Sequence, residues 1–358
     1  MRSILFFVNS FGKGGAERVC VNLGEEYVKQ GYNVCFITLF ENSSYIESNT
    51  KFNIFNLKLD EKMSKLELID SIFSAKKNIN SFVKKNYGSD GYALISAHLP
   101  LSHICASLSI VKKECLYVQH TSLLQENRHR IGYDLFYKFK NNVCVSEGLK
   151  REMKEKMGIK KLECIYNPID LQRIYELRQN SIGDISKPYI LVVGRLIQTK
   201  RFDRAIKIFK KGEFYKKYDL YIIGEGELKS ELIELTNKLE LQHSVKFLGW
   251  QNNVYKWMNK ADLVLQTSDR EAFPMILIEA LASGTKVVAS DCEYGADEIM
   301  LGEYSQFISK RDDIENCVRT INNAINSFLV SSNYTILKKC CVENVCKEYL
   351  RVYNEKFK

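Results

Sequence analysis

Short apolar runs alternate with longer amphipathic stretches along nearly the whole chain, the pattern of parallel strands joined by crossover helices. Ser3 to Asn9 predicts a strand, the glycine turn Gly12-Lys13-Gly14-Gly15 follows it, and a helix runs from about Ala16 to Gln30. Asn33 to Phe40 predicts the second strand. Further strands are predicted at Tyr92 to Ala97, Glu114 to Gln119, Asn142 to Ser146 and Leu162 to Tyr166, with helices between most of them, which makes one doubly wound domain. Asn167-Pro168-Ile169-Asp170 then breaks the alternation, and a polar stretch extends to Lys187-Pro188. The pattern restarts with strands at Tyr189 to Val193, Leu220 to Ile223, Val245 to Leu248, Leu263 to Gln266 and Lys286 to Ala289. The tail from about Tyr334 to Lys358 predicts a helix with Cys341, Val345, Leu350 and Tyr353 as its apolar stripe.

A chain of 358 residues exceeds one typical core, and a prior of roughly 150 residues per domain gives two. The expected division is a first α/β domain over 1–170, a linker over 171–187, a second α/β domain over 188–333 and the terminal helix over 334–358. A hydrophobic fraction of 45% with 27% charged residues is ordinary for a folded soluble protein. No segment approaches the roughly 20 apolar residues of a membrane span. Met1 to Phe7 reads as the start of a first strand and not as a signal peptide, so a cytoplasmic location is expected. Eleven cysteines, with no CxxC pair and no histidine spacing suited to zinc, read as reduced small hydrophobes.

The most informative run is Asp269-Arg270-Glu271-Ala272-Phe273-Pro274-Met275-Ile276-Leu277-Ile278-Glu279-Ala280-Leu281-Ala282-Ser283-Gly284. Pro274 suits the first turn of a helix and Gly284 the residue past its end, so Glu271 falls in the preceding loop and Glu279 on the helix. The helix is apolar all round except for Glu279, hence buried on most faces. A carboxylate there needs a basic partner or a ligand. A buried Glu–Arg pair in an ordinary α/β layer satisfies the same spacing, which alone does not decide between them.

Gly194-Arg195-Leu196-Ile197-Gln198-Thr199-Lys200 follows the first strand of the second half, at the carboxyl edge where open α/β sheets bind ligands. Arg195 and Lys200 there suit a diphosphate, although two solvated cations at a strand end look the same in sequence. In the first half, His98 and His120 each end a predicted strand; a lone histidine is more often structural. The glycine turn at Gly14-Gly15 has the strand-turn-helix form in which backbone N–H groups approach phosphate. Neither that turn nor Gly224-Glu225-Gly226-Glu227 completes a GxGxxG or P-loop pattern, which weakens NAD and ATP readings. No Ser-His-Asp order, zinc-spaced cluster or Asp-x-Asp pair stands near these points, which argues against a metal-dependent mechanism.

In sequence order these elements resemble the retaining glycosyltransferases of the GT-B type, in the large group called family 4. The resemblance spans nearly the whole chain. It rests on Glu271 and Glu279 with Gln266-Thr267-Ser268 before and Ala280-Leu281-Ala282-Ser283-Gly284 after them, on Gly14 to Arg18, on Val192-Val193-Gly194-Arg195 with Lys200, on Ile223-Gly224-Glu225-Gly226, on Phe247-Leu248-Gly249 and on Tyr166-Asn167-Pro168-Ile169-Asp170. It implies two facing Rossmann-like doubly wound domains, the first binding the acceptor and the second the donor nucleotide, with the C-terminal helix returning toward the first. It further implies that Glu271 meets donor-sugar hydroxyls, that Glu279 holds the ribose, and that Arg195 and Lys200 hold the diphosphate. Phe273, Pro274 and Met275 bring their backbone beside sugar and diphosphate, with N–H groups at Phe273 and Met275. Gly194 belongs to the donor loop, Gly14 and Gly15 belong to a loop over phosphate and acceptor, and His120 stands near the donor sugar, so that Glu271 and His120 are the expected catalytic residues, the histidine by position. Ala272 replaces a common glycine, and Glu293-Tyr294-Gly295-Ala296-Asp297-Glu298 keeps Gly295 and Glu298 but not the usual Thr-Gly-Gly.

The activity so implied is transfer of a hexose or N-acetylhexosamine, with retention and without metal or cofactor, from a nucleotide sugar to a lipid-linked glycan of a bacterial surface polysaccharide. UDP is taken as the default donor nucleotide. Charge supports an interfacial setting: residues 1–183 hold 26 Lys+Arg against 19 Asp+Glu, residues 184–358 hold 26 against 24. Lys76, Lys77, Lys84, Lys85, Arg128, Arg130, Lys150, Arg151 and Lys154 suit anionic lipid headgroups or an acceptor diphosphate, at the cytoplasmic face of the inner membrane and with no nucleic-acid partner. A sugar-nucleotide epimerase of similar fold and a non-catalytic nucleotide-sugar-binding subunit are the alternatives.

Overall fold

A computed structural model describes residues 2–12, 14–40, 52–87, 92–124, 131–327 and 334–357. The chain divides into two compact units, Met1–Ile169 with Cys340–Lys358, and Asp170–Lys339.

In the first unit the chain runs β1 (Ser3–Val8), α1 (Gly15–Lys29), β2 (Asn33–Phe40), β3 (Asn53–Leu59), α2 (Lys65–Tyr87), β4 (Tyr92–His98), α3 (Pro100–Leu108), β5 (Leu116–Gln119), α4 (Ile131–Lys138), β6 (Asn141–Cys144), α5 (Glu147–Met157) and β7 (Leu162–Cys164). The strands form one parallel sheet in the order β3-β2-β1-β4-β5-β6-β7. Because β1, β2, β4 and β5 are covered on both faces, they read as nearly continuous apolar runs. The chain leaves β1 toward one edge and resumes at β4 toward the other, so the carboxyl ends of β1 and β4 form a topological switch point, where such sheets bind ligands.

The second unit runs α6 (Leu171–Leu177), β8 (Tyr189–Val193), α7 (Phe202–Lys211), β9 (Asp219–Ile223), α8 (Lys229–Lys238), β10 (Val245–Gly249), α9 (Tyr255–Lys260), β11 (Leu263–Gln266), α10 (Met275–Ser283), β12 (Val287–Ser290), α11 (Ala296–Ile299), β13 (Ile308–Ser309) and α12 (Ile314–Asn326). Its parallel sheet is ordered β10-β9-β8-β11-β12-β13, and its switch point lies between β8 and β11. Two helices end the chain, α13 (Tyr334–Cys340) and α14 (Val342–Phe357).

Several elements differ from the sequence expectation. The span expected as a linker holds α6, because the Asp170 carboxylate caps it by accepting from Arg173 N at 2.9 Å and Ile174 is buried. Asn253 donates to Leu177 O at 2.8 Å and Arg178 to Ala282 O at 3.1 Å, which ties this helix to the second unit. The single terminal helix is broken at Cys341, where Ile169 N donates to Cys340 O at 2.7 Å and Val342 N to Ile169 O at 2.9 Å. Only the part from Cys340 belongs to the first unit, where α14 packs on α1 and β4 and Tyr27 donates to Cys346 O at 3.0 Å. The boundary expected at 333 lies outside the described residues. Strand β3 was not foreseen: it is an edge strand with asparagines and partly exposed positions, so its apolar signal is weak. All eleven cysteines are free thiols, and nine are buried.

Candidate functional site

Strands β8 and β11 send their loops to the same edge of the second sheet, and these two loops carry most of the residues singled out by sequence. The loop after β8 is held by close backbone contact with the loop after β9: Gly194 N donates to Ile223 O at 3.0 Å, Leu196 N to Glu225 O at 2.9 Å and Leu228 N to Leu196 O at 3.1 Å. A side chain at Gly224 or Gly226 would run into the backbone of Gly194 or Leu196. The glycines of Gly-Glu-Gly-Glu are thus explained by this approach. Arg195 stands exposed on the loop so fixed.

Lys200 ends a short 3-10 turn, Gln198–Lys200, and its Nζ meets Glu271 Oε1 at 2.5 Å across the switch point. Ser268 Oγ donates to the same carboxylate oxygen at 2.7 Å. Both ionic side chains are partly shielded, with 25% of Lys200 and 12% of Glu271 exposed, and Glu271, the more enclosed of the two, has its charge met by Lys200. Sequence reasoning placed both residues at this edge but gave no sign that they pair.

The loop that carries Glu271 is clamped from below by a network that sequence reasoning missed. Asp269 accepts from Arg204 at 2.6 Å and from Arg201 at 3.0 Å. Arg204 is buried and also donates to Thr267 O at 2.8 Å, while Asp269 N donates to Thr199 O at 2.9 Å and Thr267 Oγ1 to Arg201 O at 2.9 Å. Partial burial raises the Asp269 pKa, but hydrogen bonds from Arg201 and Arg204 outweigh it and hold the carboxyl below its ordinary value. The two ligand loops are therefore one mechanical piece. The available signal was Arg204 at an otherwise apolar position of α7, since a buried arginine requires a carboxylate or carbonyl partner.

Helix α10 begins at Met275 with Pro274 as its N-cap (φ −73, ψ 90), one residue outside the first turn assigned from sequence. Gly284, at φ 89, closes it in the left-handed conformation that favours glycine. Leu277, Ile278, Ala280, Leu281 and Ala282 are buried. Met275 and Glu279, one turn apart, lie on the partly open side, and the Tyr255 hydroxyl donates to Glu279 at 3.4 Å. Phe273 is buried, and Gly295, at φ 81, lets the following loop lie against Ala272, Phe273 and Pro274. These contacts fix the backbone at the N-terminus of α10, where N–H groups and the helix dipole favour an anion.

In the first unit Gly14 caps α1 and Gly15 begins it. The Glu17 carboxylate folds over Gly14 where a side chain would stand, whereas the space at Gly15 is open. Lys13 lies outside the described residues, as do Arg128 and Arg130. At the carboxyl ends of β4 and β5, His98 Nδ1 and His120 Nε2 are 2.9 Å apart, and His98 Nε2 is 3.1 Å from Ser96 Oγ. A third histidine, His103, was missed. Its Nε2–H is shared between Ala97 O and Val118 O, both at 3.1 Å, and its Nδ1 accepts from Tyr137 at 2.8 Å. Burial pushes His120 down to about 4 and His103 to about 3, and it pushes His98 well below the ordinary histidine value.

These imidazoles protonate in the unfolded chain near pH ~6.5, but in the folded unit only at far lower pH. The unfolded state therefore binds more protons in that window, so stability present above about pH 6.5 is lost as the pH falls toward about 4. Carboxylates titrate lower, so thermal melts between about pH 7.5 and 5 report mainly these histidines. A melting temperature that stays flat or rises on acidification over that range contradicts their burial as neutral rings.

Comparison with known proteins accounts for both units. Residues 13–173 match the model described as Glycosyltransferase Family 4, and residues 176–333 match Glycosyl transferases group 1. The chain belongs to the family 4 glycosyltransferases. Among relatives of this family, an uncharacterized glycosyltransferase of Haemophilus influenzae is 27% identical over 333 residues, 91% of each chain. The N-acetylgalactosamine-N,N'-diacetylbacillosaminyl-diphospho-undecaprenol 4-alpha-N-acetylgalactosaminyltransferase of Campylobacter jejuni is 29% identical, over 84% of this chain and 83% of its own. Anabaena HepE, solved with UDP and glucose, superposes with a TM-score of 0.78 at 18% identity, over 99% of this chain and all of its own (100%). The fold is GT-B and the protein is a glycosyltransferase. Among the described residues no helix is long and apolar enough to cross a membrane.

Proposed function

We propose that this glycosyltransferase moves a hexose or N-acetylhexosamine, with retention, from a UDP-linked sugar to a lipid-linked glycan acceptor in bacterial surface polysaccharide synthesis. The observation that carries the proposal is the Lys200–Glu271 pair at 2.5 Å, set across a switch point beside the N-terminus of α10. The roles of the cations follow from charge, and those of the two glutamates from the resemblance to the family. Arg195, Lys200 and the backbone N–H groups of Phe273 and Met275 take the donor diphosphate, and Glu271 takes sugar hydroxyls. Glu279 takes the ribose, and Gly194 lets the donor loop approach. A phosphate draws Lys200 away from Glu271 and frees the carboxylate to accept from the sugar, so donor binding exchanges one ion pair for two ligand contacts. The Campylobacter relative's undecaprenol-linked acceptor and the UDP in the Anabaena structure support the substrate classes.

As the bond from anomeric carbon to phosphate breaks, negative charge grows on the leaving diphosphate, and the cations and helix N-terminus stabilise it. The leaving phosphate takes the acceptor proton on the same face, so no glycosyl-enzyme forms. The charge compensation that a divalent cation would supply falls here to Arg195, Lys200 and α10. In the first unit, Gly14, Gly15 and His120 serve the acceptor and the transferred sugar at the β1/β4 edge.

The proposal is tested by supplying UDP-, GDP- and ADP-sugars with and without a lipid-linked acceptor. Transfer that needs the acceptor supports it; interconversion of the free sugar nucleotide overturns it in favour of an epimerase. The membrane part rests on Lys76, Lys77, Lys84 and Lys85, exposed on α2, and on Arg151 and Lys154, exposed on α5. Anionic liposomes should sediment more protein than neutral ones, and equal amounts refute this part.

A further inference from the structure

Strand β4 reads Tyr-Ala-Leu-Ile-Ser-Ala-His and is buried throughout. Apolar side chains would fill such a strand at the least cost, yet Ser96 and His98, two residues apart and so on one face, are both 0% exposed. They lie in the first unit, on the strand whose carboxyl end helps form the β1/β4 switch point. They form a chain of three groups that ends on the partly buried His120: Ser96 Oγ to His98 Nε2 at 3.1 Å, then His98 Nδ1 to His120 Nε2 at 2.9 Å.

We propose that Ser96 and His98 are positioning residues that hold His120 as the Nδ1-protonated tautomer, so that it offers substrates a hydrogen-bond donor and not a base. This rests on the reading of the β1/β4 edge as the acceptor and sugar side. The direction of the chain follows from its protons. Among the described residues His98 Nε2 is the one partner of the Ser96 hydroxyl, and an O–H buried without an acceptor costs about 1–3 kcal/mol. The serine therefore donates and His98 Nε2 accepts. His98, buried with no acidic partner among the described residues, is neutral, so its single N–H is at Nδ1 and donates to His120 Nε2. A neutral His120 must then carry its own proton at Nδ1. That nitrogen has no partner among the described residues and is the one left for a ligand.

The neighbouring His103 shows that tautomers in this region are set by such logic. Its Nε2 faces two carbonyls and must be protonated, which leaves Nδ1 to accept from Tyr137. For His120 the consequence is chemical. A donor at Nδ1 holds a sugar hydroxyl or a phosphate oxygen, but it takes no proton from the acceptor unless the whole chain reverses. The acceptor proton then goes to the leaving phosphate.

The test is a long-range proton–nitrogen correlation spectrum of the full chain with 15N-labelled histidine. The expected spectrum of His120 shows a pyrrole-type Nδ1 and a pyridine-type Nε2, unchanged between about pH 7.5 and 6. Ser96→Ala removes the donor that polarises the chain, so His120 becomes a mixture of tautomers and kcat falls about 10-fold while donor KM changes less than about twofold. A wild-type spectrum with pyridine-type Nδ1 or a doubly protonated ring overturns the proposal. So does a Ser96→Ala protein with the wild-type tautomer and kcat. The spectrum reads the tautomer whether or not transfer is observed, which separates failure of this proposal from failure of the proposed function.

Discussion

Glu271→Ala should lower kcat/KM for sugar transfer by about 10²- to 10³-fold, the range for loss of one preorganised polar group at a reacting centre. Two consequences of the geometry distinguish this from a folding defect. Glu271 accepts from Lys200 and Ser268, and nothing else in the loop depends on it, since Asp269 and Thr267 hold the backbone. Lys200, left alone, is 25% exposed and swings to water, so stability should change by no more than about 1 kcal/mol. Steady-state kinetics together with a melting curve check both halves. A fully active Glu271→Ala protein refutes the role assigned to this carboxylate.

Asp269→Ala should have the largest effect on stability, about 2–4 kcal/mol. Removing one partner from a buried ion pair costs about 3–5 kcal/mol, discounted here because the Asp269 side chain is 32% exposed and Arg204 keeps a second, exposed partner in Asp312. Arg204 itself is only 6% exposed and has no route to water. The change also removes the carboxylate that joins Arg201, next to Lys200, and Arg204 to the loop of Glu271, so Lys200 and Glu271 lose part of their mutual placement and donor KM should rise even though Asp269 meets no substrate in the proposal. Asp269→Asn keeps an acceptor and should cost less than half as much. Denaturation midpoints of the two variants check this; equal stability of wild type and Asp269→Ala would show that the network does not hold the loop.

Much of this was legible in the chain. Parallel strands covered on both faces read as apolar runs, and helix ends marked by Pro274 and Gly284 placed Glu271 in a loop and Glu279 on a helix, within one residue of the structure. His98 and His120 at the ends of their strands, and Arg195 and Lys200 after the first strand of the second half, fell at the carboxyl edges of the two sheets. What was not legible depends on contacts distant in sequence. The Lys200–Glu271 pair joins residues 71 positions apart, and the Arg204–Asp269 pair joins residues 65 apart. Helix α6 was hidden because it is only seven residues long and buries one of them, and its helical state comes from one cap at Asp170 and one buried Ile174. The break at Cys341 is set by pairing with Ile169, which no local pattern announces.

The central claim, that the β8/β11 edge is a nucleotide-sugar site built on Lys200 and Glu271, is tested most directly by thermal shift. Wild type and Lys200→Ala are melted against UDP-, GDP- and ADP-sugars. A donor at about 100 times its Kd stabilises by about 2.7 kcal/mol, a rise of about 5–10 °C for a domain of this size. The account predicts such a rise for wild type with one nucleotide class, and its loss or near-loss in Lys200→Ala. No rise with any donor, or an equal rise in both proteins, contradicts it.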